Sequence, residues 1–234
     1  MDEVKLLGTW PSPLYYRVVW ALKFKGIAYK FIEDLTNKSP LLLHYSPVHK
    51  KIPVLLHGGN SICESMIILE YIQQICPQNS LLPTHPYGRA VDHFWIKFTD
   101  EKAPAIWMGF RSSGEEQKKA VEDSLEMLQM IEEHAVGMKS LFGGDEIYKV
   151  DIAFGQLMWL QLIEDVTGVK LLEATNFPRL QRWFHNFKQV PVIKANLPDY
   201  QHMFGFFKRS REIPFHSHSL LCKCRNQLLK AALT

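Results

Sequence analysis

Residues 4–35, "VKLLGTWPSPLYYRVVWALKFKGIAYKFIEDL", decide the fold of the first part of the chain. The apolar stretch at 4–10 is typical of a short buried strand, and residues 13–26 are typical of a helix that starts with proline and is closed by Gly26. Residues 27–35 alternate apolar and polar side chains, which predicts a second strand. A strand, a helix and a strand in this order predict a βαβ unit, with parallel strands and a right-handed crossover.

The following forty residues extend this unit. Residues 37–50, "NKSPLLLHYSPVHK", are polar with one short helical turn, and residues 52–65, "IPVLLHGGNSICES", predict a hairpin that turns at Gly58 and Gly59. The helix "SMIILEYIQQIC" follows and stops before a proline. The order βαβ, short helix, ββα predicts an α/β thioredoxin-like domain over residues 1–80.

The rest of the chain predicts an all-α domain. The proline-rich text "PQNSLLPTHP" is typical of an interdomain linker, which we place at residues 81–88. Apolar residues three and four apart then predict helices at residues 87–110, 113–135, 151–166 and 177–191. We therefore expect an all-helical domain over residues 89–213 and a disordered basic tail over residues 214–234.

Composition excludes several classes of protein. Of the 234 residues, 47% are hydrophobic and 22% charged, which is typical of soluble globular proteins. No long uncharged apolar run and no signal-like N-terminus are found, so we expect no membrane segment and a cytosolic, cytoplasmic location. The formal charge of +3 is concentrated in residues 201–234, with six basic residues against one acidic residue. No basic stripe with interleaved aromatic residues occurs elsewhere, so we predict no nucleic-acid binding.

The four cysteines predict neither a metal site nor a dithiol redox centre. Cys63, Cys76, Cys222 and Cys224 form no CxxC pair and have no histidine at zinc-ligand spacing. Cys222 and Cys224 could ligate a soft metal, although a CxC in a basic tail is weak support. Cys63 follows Ile62 in a predicted strand, which favours a packed thiol over a nucleophile.

Ser12 is a candidate reactive residue. It lies between two prolines at the start of the first predicted helix, where serine is also a common cap. No histidine or acid follows at a spacing that would make it a base for Ser12, although a partner could come from elsewhere in the fold. The residues alone leave a cap and a reactive serine both open, and Tyr15 is an alternative candidate.

Several segments together resemble the plant tau-class glutathione S-transferases, a dimeric cytosolic family that detoxifies xenobiotics. They are "SPLYYRVVWALKFKG", "NKSPLLLHYSPVHKKIPVLLHGGNSICESMIILEYI", "DHFWIKFTDEK" and "FGGDEIYKVDIAFG". The resemblance runs in register from residue 4 to about residue 207. It implies a homodimeric transferase that conjugates glutathione to hydrophobic electrophiles and also reduces organic hydroperoxides. Glutathione would be a co-substrate, and no permanently bound cofactor is implied.

The same register implies a glutathione site made of Ser12, Lys38, Lys51, Ile52, Pro53, Glu64 and Ser65. A proline just before a strand predicts a cis bond or an edge position, and in the family a cis-proline turns the preceding backbone toward the cysteinyl group. The two lysines would face the glycine carboxylate, although lone lysines are usually surface residues. Glu64 and Ser65 would hold the γ-glutamyl end, although this pair is also a common helix cap.

The resemblance also gives Ser12 a chemical role. A hydroxyl that donates to the glutathione sulfur, together with the N-terminus of a helix, stabilises the thiolate and lowers the thiol pKa. A cysteine at this position would instead form a mixed disulfide and support thiol transfer. Serine therefore favours conjugation and peroxide reduction.

The second substrate should be an apolar electrophile held in a cleft between the domains. Candidate wall residues are Trp10, Leu14, Trp107, Phe110, Trp159 and Phe206, although an aromatic residue on a helix is more often part of the core. The resemblance stops after about Arg211, which leaves as an alternative function a ligandin, a low-turnover carrier of hydrophobic metabolites.

Asp151 resembles the helix-capping aspartate of the family's second domain. Tyr148 stands three residues earlier, where serine, threonine or glycine is often found, so we predict an incomplete capping box. Asp151 is interpreted as a folding residue without a catalytic role.

Overall fold

The computed structural model describes residues 2–34, 39–137, 140–173 and 175–212. Within these ranges the chain forms two compact units, one containing residues 2–79 and 208–212 and the other containing residues 80–207. Each unit has its own core. Lys38 and the predicted tail, including Cys222 and Cys224, lie outside the described residues.

The first unit is built on a four-stranded sheet with the order β2-β1-β3-β4. Strand β1 is parallel to β2 and antiparallel to β3, and β3 pairs antiparallel with β4. The elements are β1 (Val4–Gly8), α1 (Pro13–Phe24), β2 (Lys30–Glu33), α2 (Pro40–Tyr45), β3 (Val54–His57), β4 (Asn60–Cys63) and α3 (Ser65–Ile75). The predicted thioredoxin-like order is confirmed.

Local sequence explains the bounds of these elements. Pro13 opens α1, where the missing N–H costs no hydrogen bond. Gly26 ends the turn after α1 with a φ of 65°, a left-handed conformation that glycine adopts freely. Gly58 and Gly59 also have positive φ angles, as a tight hairpin turn requires, so the predicted hairpin is confirmed.

Both faces of the sheet are covered by helices. Helices α1 and α3 pack against each other, and their buried residues include Val18, Leu22, Ile68 and Ile72. Elsewhere in the unit, α2 contributes Leu42 to a buried cluster that contains Leu7, Val54 and Leu56. Burial of such side chains stabilises each by about 1.5–3 kcal/mol relative to exposure.

The second unit is helical, as predicted. Its elements are α4 (Pro86–Lys102), α5 (Pro104–Arg111), α6 (Gly114–Met130), a π turn (Ile131–Ala135), α7 (Lys149–Phe154), a 3₁₀ turn (Gly155–Met158), α8 (Trp159–Thr167), α9 (Pro178–Gln189), α10 (Pro191–Lys194) and α11 (Tyr200–Arg211). The last residues of α11 belong to the first unit. None of the helices within the described ranges has both the length and the apolar character needed to cross a bilayer.

Two of the four predicted helices are divided in the structure, so those two predictions were wrong in extent. The helix predicted at 87–110 breaks at Ala103, because Pro104 has no N–H with which to continue the hydrogen-bond ladder. The helix predicted at 151–166 becomes α7, a 3₁₀ turn and α8, with the change at Gly155. Helix α4 also begins at Pro86, inside the predicted linker, since proline is suited to a first helical position.

An aromatic cluster forms part of the core of the second unit. Trp183 stacks on Phe187 with 5.0 Å between ring centroids, and Phe142 lies 4.4 Å from Phe154. Phe154 also contacts Trp183 at 6.2 Å. The cluster therefore joins α7 to α9.

Candidate functional site

The register of the sheet brings three chain segments to one end of the first unit. Leu7, near the end of β1, pairs with Val54 at the start of β3, and Val54 pairs with Cys63 at the end of β4. The end of β1, the start of β3 and the end of β4 are therefore adjacent. The parallel partner β2 also ends here, because Gly8 pairs with Glu33.

The predicted glutathione-site residues in the described part of the chain lie next to this same end of the sheet. Ser12 follows β1, the pair Ile52 and Pro53 precedes β3, and the pair Glu64 and Ser65 follows β4. Residues separated by up to 53 positions in sequence are thus placed around one end of the sheet.

Ser12 caps helix α1. Its Oγ accepts a hydrogen bond from the Tyr15 N–H at 3.3 Å, and its carbonyl accepts one from the Tyr16 N–H at 3.3 Å. The backbone of Ser12 is extended, as expected for a cap. Because its oxygen accepts the capping bond, the hydroxyl hydrogen can be donated to another group. Ser12 can therefore cap the helix and donate a hydrogen bond at the same time.

Tyr15, the alternative candidate, is poorly suited to stabilising a thiolate by sharing its proton. The residue is buried, and its ring lies 5.1 Å from that of Phe31. Burial and the neighbouring Tyr29 raise the pKa of the Tyr15 hydroxyl far above its usual value. Burial also raises the pKa of Tyr16 to about 12. The Tyr15 hydroxyl is also engaged in a hydrogen bond with the side chain of Tyr29.

Pro53 is buried and is joined to Ile52 by a cis peptide bond. The sequence predicts either a cis bond or an edge position for this proline, and the structure has the cis bond. Ile52 itself is half-buried and packs against the cluster around Leu42 and Val54. Lys51, one residue earlier, is exposed.

Glu64 has an unusual backbone conformation. Its φ is 69° and its ψ is 120°, in a region that residues other than glycine rarely adopt, at a cost of about 1–3 kcal/mol. Glu64 is also the residue before α3, whose N-terminus has no side-chain cap. The free N–H groups and the positive end of the helix dipole favour an anion at this position.

His49 contacts Glu64, one of the predicted site residues. It is exposed, and its Nδ1 lies 3.7 Å from Oε1 of Glu64. Lys50, which follows it, has a φ of 55°. The pairing joins the segment before β3 to the segment after β4, which sequence spacing does not indicate.

Ser65 has a buried partner that the sequence left unassigned. Nη1 of Arg17 donates a hydrogen bond to Ser65 Oγ at 3.3 Å, across 48 residues of sequence. Only 1% of Arg17 and 5% of Ser65 are exposed. The available signal was a basic residue in the first part of α1, where its neighbours are apolar or aromatic.

The predicted apolar wall residues divide between the two units. Trp10 and Leu14 in the first unit are half-buried. In the second unit, Trp107 is half-buried, whereas Phe110, Trp159 and Phe206 are buried. The ring of Phe207 contacts Trp107, Phe110 and Phe206 at 5.8, 5.4 and 5.6 Å, so three of the predicted residues share one neighbour.

Cys63 is a packed, half-buried thiol. Its Sγ lies 3.7 Å from the carbonyl oxygen of Tyr45, and it packs against the cluster around Leu42. No group of three or more His, Cys, Asp or Glu side chains within the described ranges is arranged to hold a metal ion.

Asp151 is a structural carboxylate in the second unit. It is fully buried and accepts three hydrogen bonds, from the N–H groups of Phe142 and Tyr148 at 3.0 Å and from Trp183 Nε1 at 2.9 Å. Its bond from Tyr148 is the reciprocal half of a capping box. Burial raises the pKa of Asp151 to about 6, although the three donors oppose this effect.

Asp92 on α4 is a second buried carboxylate, and its Oδ2 has no hydrogen-bond partner. Burial and the charge of Asp151 raise its pKa to about 7, while Lys149 opposes the rise. When the folded protein holds a carboxyl proton more tightly than the unfolded chain does, the protonated carboxyl stabilises the fold at pH values below its ordinary pKa. This contribution is lost as pH rises through the pKa of the folded state.

We predict that Asp92→Asn raises the melting temperature at pH 8 and reduces the fall in melting temperature between pH 5 and pH 8. The amide removes the cost of ionising this buried side chain. Calorimetry across this pH range measures the effect, with the exposed Asp123→Asn as the matched control. An unchanged pH slope in Asp92→Asn would contradict the prediction.

Comparisons with known proteins agree with this geometry. Residues 2–74 match the family described as glutathione S-transferase, N-terminal domain. A probable glutathione S-transferase from Solanum tuberosum is 49% identical over 185 residues, which cover 78% of this chain and 85% of that protein.

Two solved structures are also similar over most of their length. The tau-class glutathione S-transferase from mango has a TM-score of 0.82 and 40% identity, covering 88% of this chain and 98% of that one. Rice GST1, solved in complex with glutathione, has a TM-score of 0.81 and 31% identity, with coverage of 90% and 97%. The chain belongs to the glutathione S-transferase family and, within it, to the plant tau class. It is therefore a glutathione transferase, and the family uses glutathione as a substrate.

Proposed function

We propose that this chain binds glutathione at the end of the sheet reached by Ser12, Pro53 and Glu64, and conjugates it to hydrophobic electrophiles. The observation that carries the proposal is the pairing of Leu7 with Val54 and of Val54 with Cys63, which gathers the three segments. The glutathione in the similar rice structure supports the choice of ligand.

The γ-glutamyl end of glutathione carries an ammonium and a carboxylate, and the start of α3 offers a partner for each. The carboxylate of Glu64 suits the ammonium. The hydroxyl of Ser65 and the free N–H groups of α3 suit the carboxylate. At the other end of the tripeptide, Lys51 and Lys38 are the proposed partners of the glycine carboxylate.

The cysteinyl sulfur would then lie near the backbone of Ile52 and the hydroxyl of Ser12. Ser12 donates its hydrogen to the sulfur, and the N-terminal end of α1 adds a positive potential, so the thiol loses its proton to solvent more readily. The thiolate attacks the electrophilic carbon, a C–S bond forms, and the leaving group departs with the bonding electrons. The same thiolate can attack the terminal oxygen of an organic hydroperoxide, so that an S–O bond forms, the O–O bond breaks and the alkoxide leaves and takes up a proton. A second glutathione then displaces water from the resulting sulfenic acid and gives glutathione disulfide.

The second substrate is proposed to be apolar. The candidates remain Trp10, Leu14, Trp107, Phe110, Trp159 and Phe206, and the contacts of three of them with Phe207 support an aromatic surface in the second unit. A homodimer is the proposed assembly, and light scattering of the purified protein would measure its mass.

Ser65→Ala is expected to raise the KM for glutathione about tenfold, because a hydrogen bond to a charged group contributes about 1.5–3 kcal/mol. The KM for an aromatic halide should remain unchanged. Steady-state kinetics with both substrates varied provides the measurement, and the exposed Ser61→Ala on β4 is the control.

An unchanged KM for glutathione in Ser65→Ala would place the γ-glutamyl group elsewhere. Tight binding of apolar ligands without conjugation of any tested electrophile would favour the ligandin function instead.

A further inference from the structure

The ring of Tyr15 packs closely against Gly8, the last residue of β1. A Cβ atom added to Gly8 would lie 2.4 Å from Cδ2 of Tyr15 and 3.2 Å from its Cγ. Because Cγ is the atom that joins the ring to the rest of the side chain, the ring cannot avoid such a Cβ by a small movement of its tip. The close approach of the ring to the strand therefore depends on glycine at position 8.

The other sides of the Tyr15 ring are also in contact with the first unit. Its centroid lies 5.1 Å from that of Phe31 on β2 and 5.5 Å from that of Tyr16. Its hydroxyl is hydrogen-bonded to the side chain of Tyr29. Only 7% of Tyr15 is exposed. A buried aromatic side chain with contacts on its ring and a partner for its hydroxyl is a rigid anchor, here between the start of α1 and the sheet.

Ser12 lies between the two ends of this contact. After β1 the chain makes a turn in which the Ser12 N–H donates to the Thr9 carbonyl at 3.1 Å. Helix α1 then begins, and the Tyr15 N–H donates to Ser12 Oγ at 3.3 Å. The packing of Tyr15 on Gly8 thus closes the segment 8–15 on itself. The backbone and the hydroxyl oxygen of Ser12 are both held from within this segment.

We propose that Tyr15 is a positioning residue for the reaction, because its ring, packed against Gly8, fixes the first turn of α1 so that the Ser12 hydroxyl points at the glutathione sulfur. This inference rests on the proposed function, since it requires that Ser12 donates to the sulfur. Such a donor must be held within about 0.5 Å of its productive position. A misplacement of about 1 Å can lower a rate about a hundredfold.

The ring of Tyr15 carries this role, and its hydroxyl does not. Tyr15→Phe keeps the ring against Gly8 and loses only the hydrogen bond to Tyr29, so kcat/KM for conjugation is expected to stay within about threefold of the unsubstituted protein. Tyr15→Leu removes the ring and should lower kcat/KM about tenfold at pH 7, because the first turn of α1 loses its anchor on β1.

A single added methyl group tests the contact from the side of the strand. Gly8→Ala is expected to lower kcat/KM about tenfold at pH 7, because the new Cβ displaces the Tyr15 ring and Ser12 with it. The KM for glutathione should stay within about twofold, since the segments proposed to bind the rest of the ligand are unchanged. Gly137→Ala is the matched control, because a Cβ there would meet no atom of the described residues within 4 Å.

The pH dependence separates positioning of Ser12 from general damage to the fold. In Gly8→Ala the pKa of the bound thiol should rise toward the ordinary value of about 8.5, and the difference in kcat/KM from the unsubstituted protein should become smaller toward pH 9. Ultraviolet difference spectra of bound glutathione measure this pKa directly. In a Tyr15→Leu background, Gly8→Ala should add less than about a twofold loss, because the ring that it displaces is absent.

The remaining outcomes overturn the inference in distinguishable ways. If Ser12→Ala raises the thiol pKa while Gly8→Ala and Tyr15→Leu leave it unchanged, the inference is wrong and the proposed function stands. An unchanged thiol pKa in Ser12→Ala removes both. A loss of about a hundredfold in Tyr15→Phe would make the Tyr15 hydroxyl itself the donor. If Gly8→Ala does not fold, Tyr15→Leu is measured in the same way, and a loss of equal size at pH 7 and pH 9 overturns the inference.

Discussion

Ser12→Ala is expected to lower kcat/KM for conjugation about a hundredfold at pH 7, the size typical for loss of one hydrogen-bond donor to a developing anion. The alanine variant has no hydroxyl to donate to the sulfur, so the pKa of bound glutathione should rise toward the ordinary thiol value of about 8.5. Less thiolate is then present at pH 7. The difference in kcat/KM between Ser12→Ala and the unsubstituted protein should become smaller as pH rises toward 9, because the thiol then ionises without a hydrogen bond from Ser12.

The pH profile of kcat/KM separates this effect from damage to the helix. Ser12 also caps α1, and loss of a cap costs about 0.5–2 kcal/mol of stability. Ser39 caps α2 in the same way, accepting a bond from the Leu42 N–H at 3.0 Å. Ser39→Ala therefore serves as a matched loss of a cap, and its kcat/KM should fall far less. A similar loss at all pH values in Ser12→Ala would show that the hydroxyl does not act on the thiol.

Ser12→Cys extends the same test to the type of reaction. A thiol at this position can exchange with oxidised glutathione and form a mixed disulfide, which a serine cannot. Mass spectrometry of the intact variant should detect the added glutathione, and conjugation should decline. If no adduct forms, the sulfur of the ligand does not approach residue 12.

Asp151→Ala is expected to reduce the free energy of unfolding by about 3–5 kcal/mol, among the largest effects of a single substitution. The reason is that three donors, the N–H groups of Phe142 and Tyr148 and the indole N–H of Trp183, would lose their buried acceptor at the same time. The carboxylate also joins the start of α7 to α9, so its loss should loosen the second unit.

Urea denaturation followed by tryptophan fluorescence measures the loss, because Trp183 donates directly to Asp151. Asp145→Ala, at an exposed aspartate six residues earlier, should change the stability by less than about 0.5 kcal/mol. Equal stability of the two variants would refute the folding role of Asp151. A loss of activity without a loss of stability would instead favour a role in the reaction.

The sequence predicted those parts of the fold that depend on local patterns. The βαβ unit follows from the spacing of apolar residues in 4–35, and the hairpin follows from Gly58 and Gly59. The apolar stripe continues through Pro104, so periodicity alone does not indicate the break between α4 and α5. The change at Gly155 was missed for a similar reason, since glycine is tolerated inside many helices.

The contacts within the site depend on distant residues, and spacing alone does not give them. The bond from Arg17 to Ser65 crosses 48 residues, and the pairing of His49 with Glu64 depends on the antiparallel register of β3 and β4. The roles of Ser12, Glu64 and the other proposed ligands came from the resemblance to a family. They remain predictions until the variants are measured.

The left-handed backbone of Glu64 sets stability against ligand binding at a single residue. Glycine would adopt the same φ without strain, so Glu64→Gly is the substitution that the local backbone favours most. That substitution would also remove the carboxylate proposed to hold the glutamyl ammonium. Selection for thermal stability alone would thus tend to replace a residue that is proposed to bind glutathione. Substitutions that stabilise this enzyme should therefore be sought away from this turn.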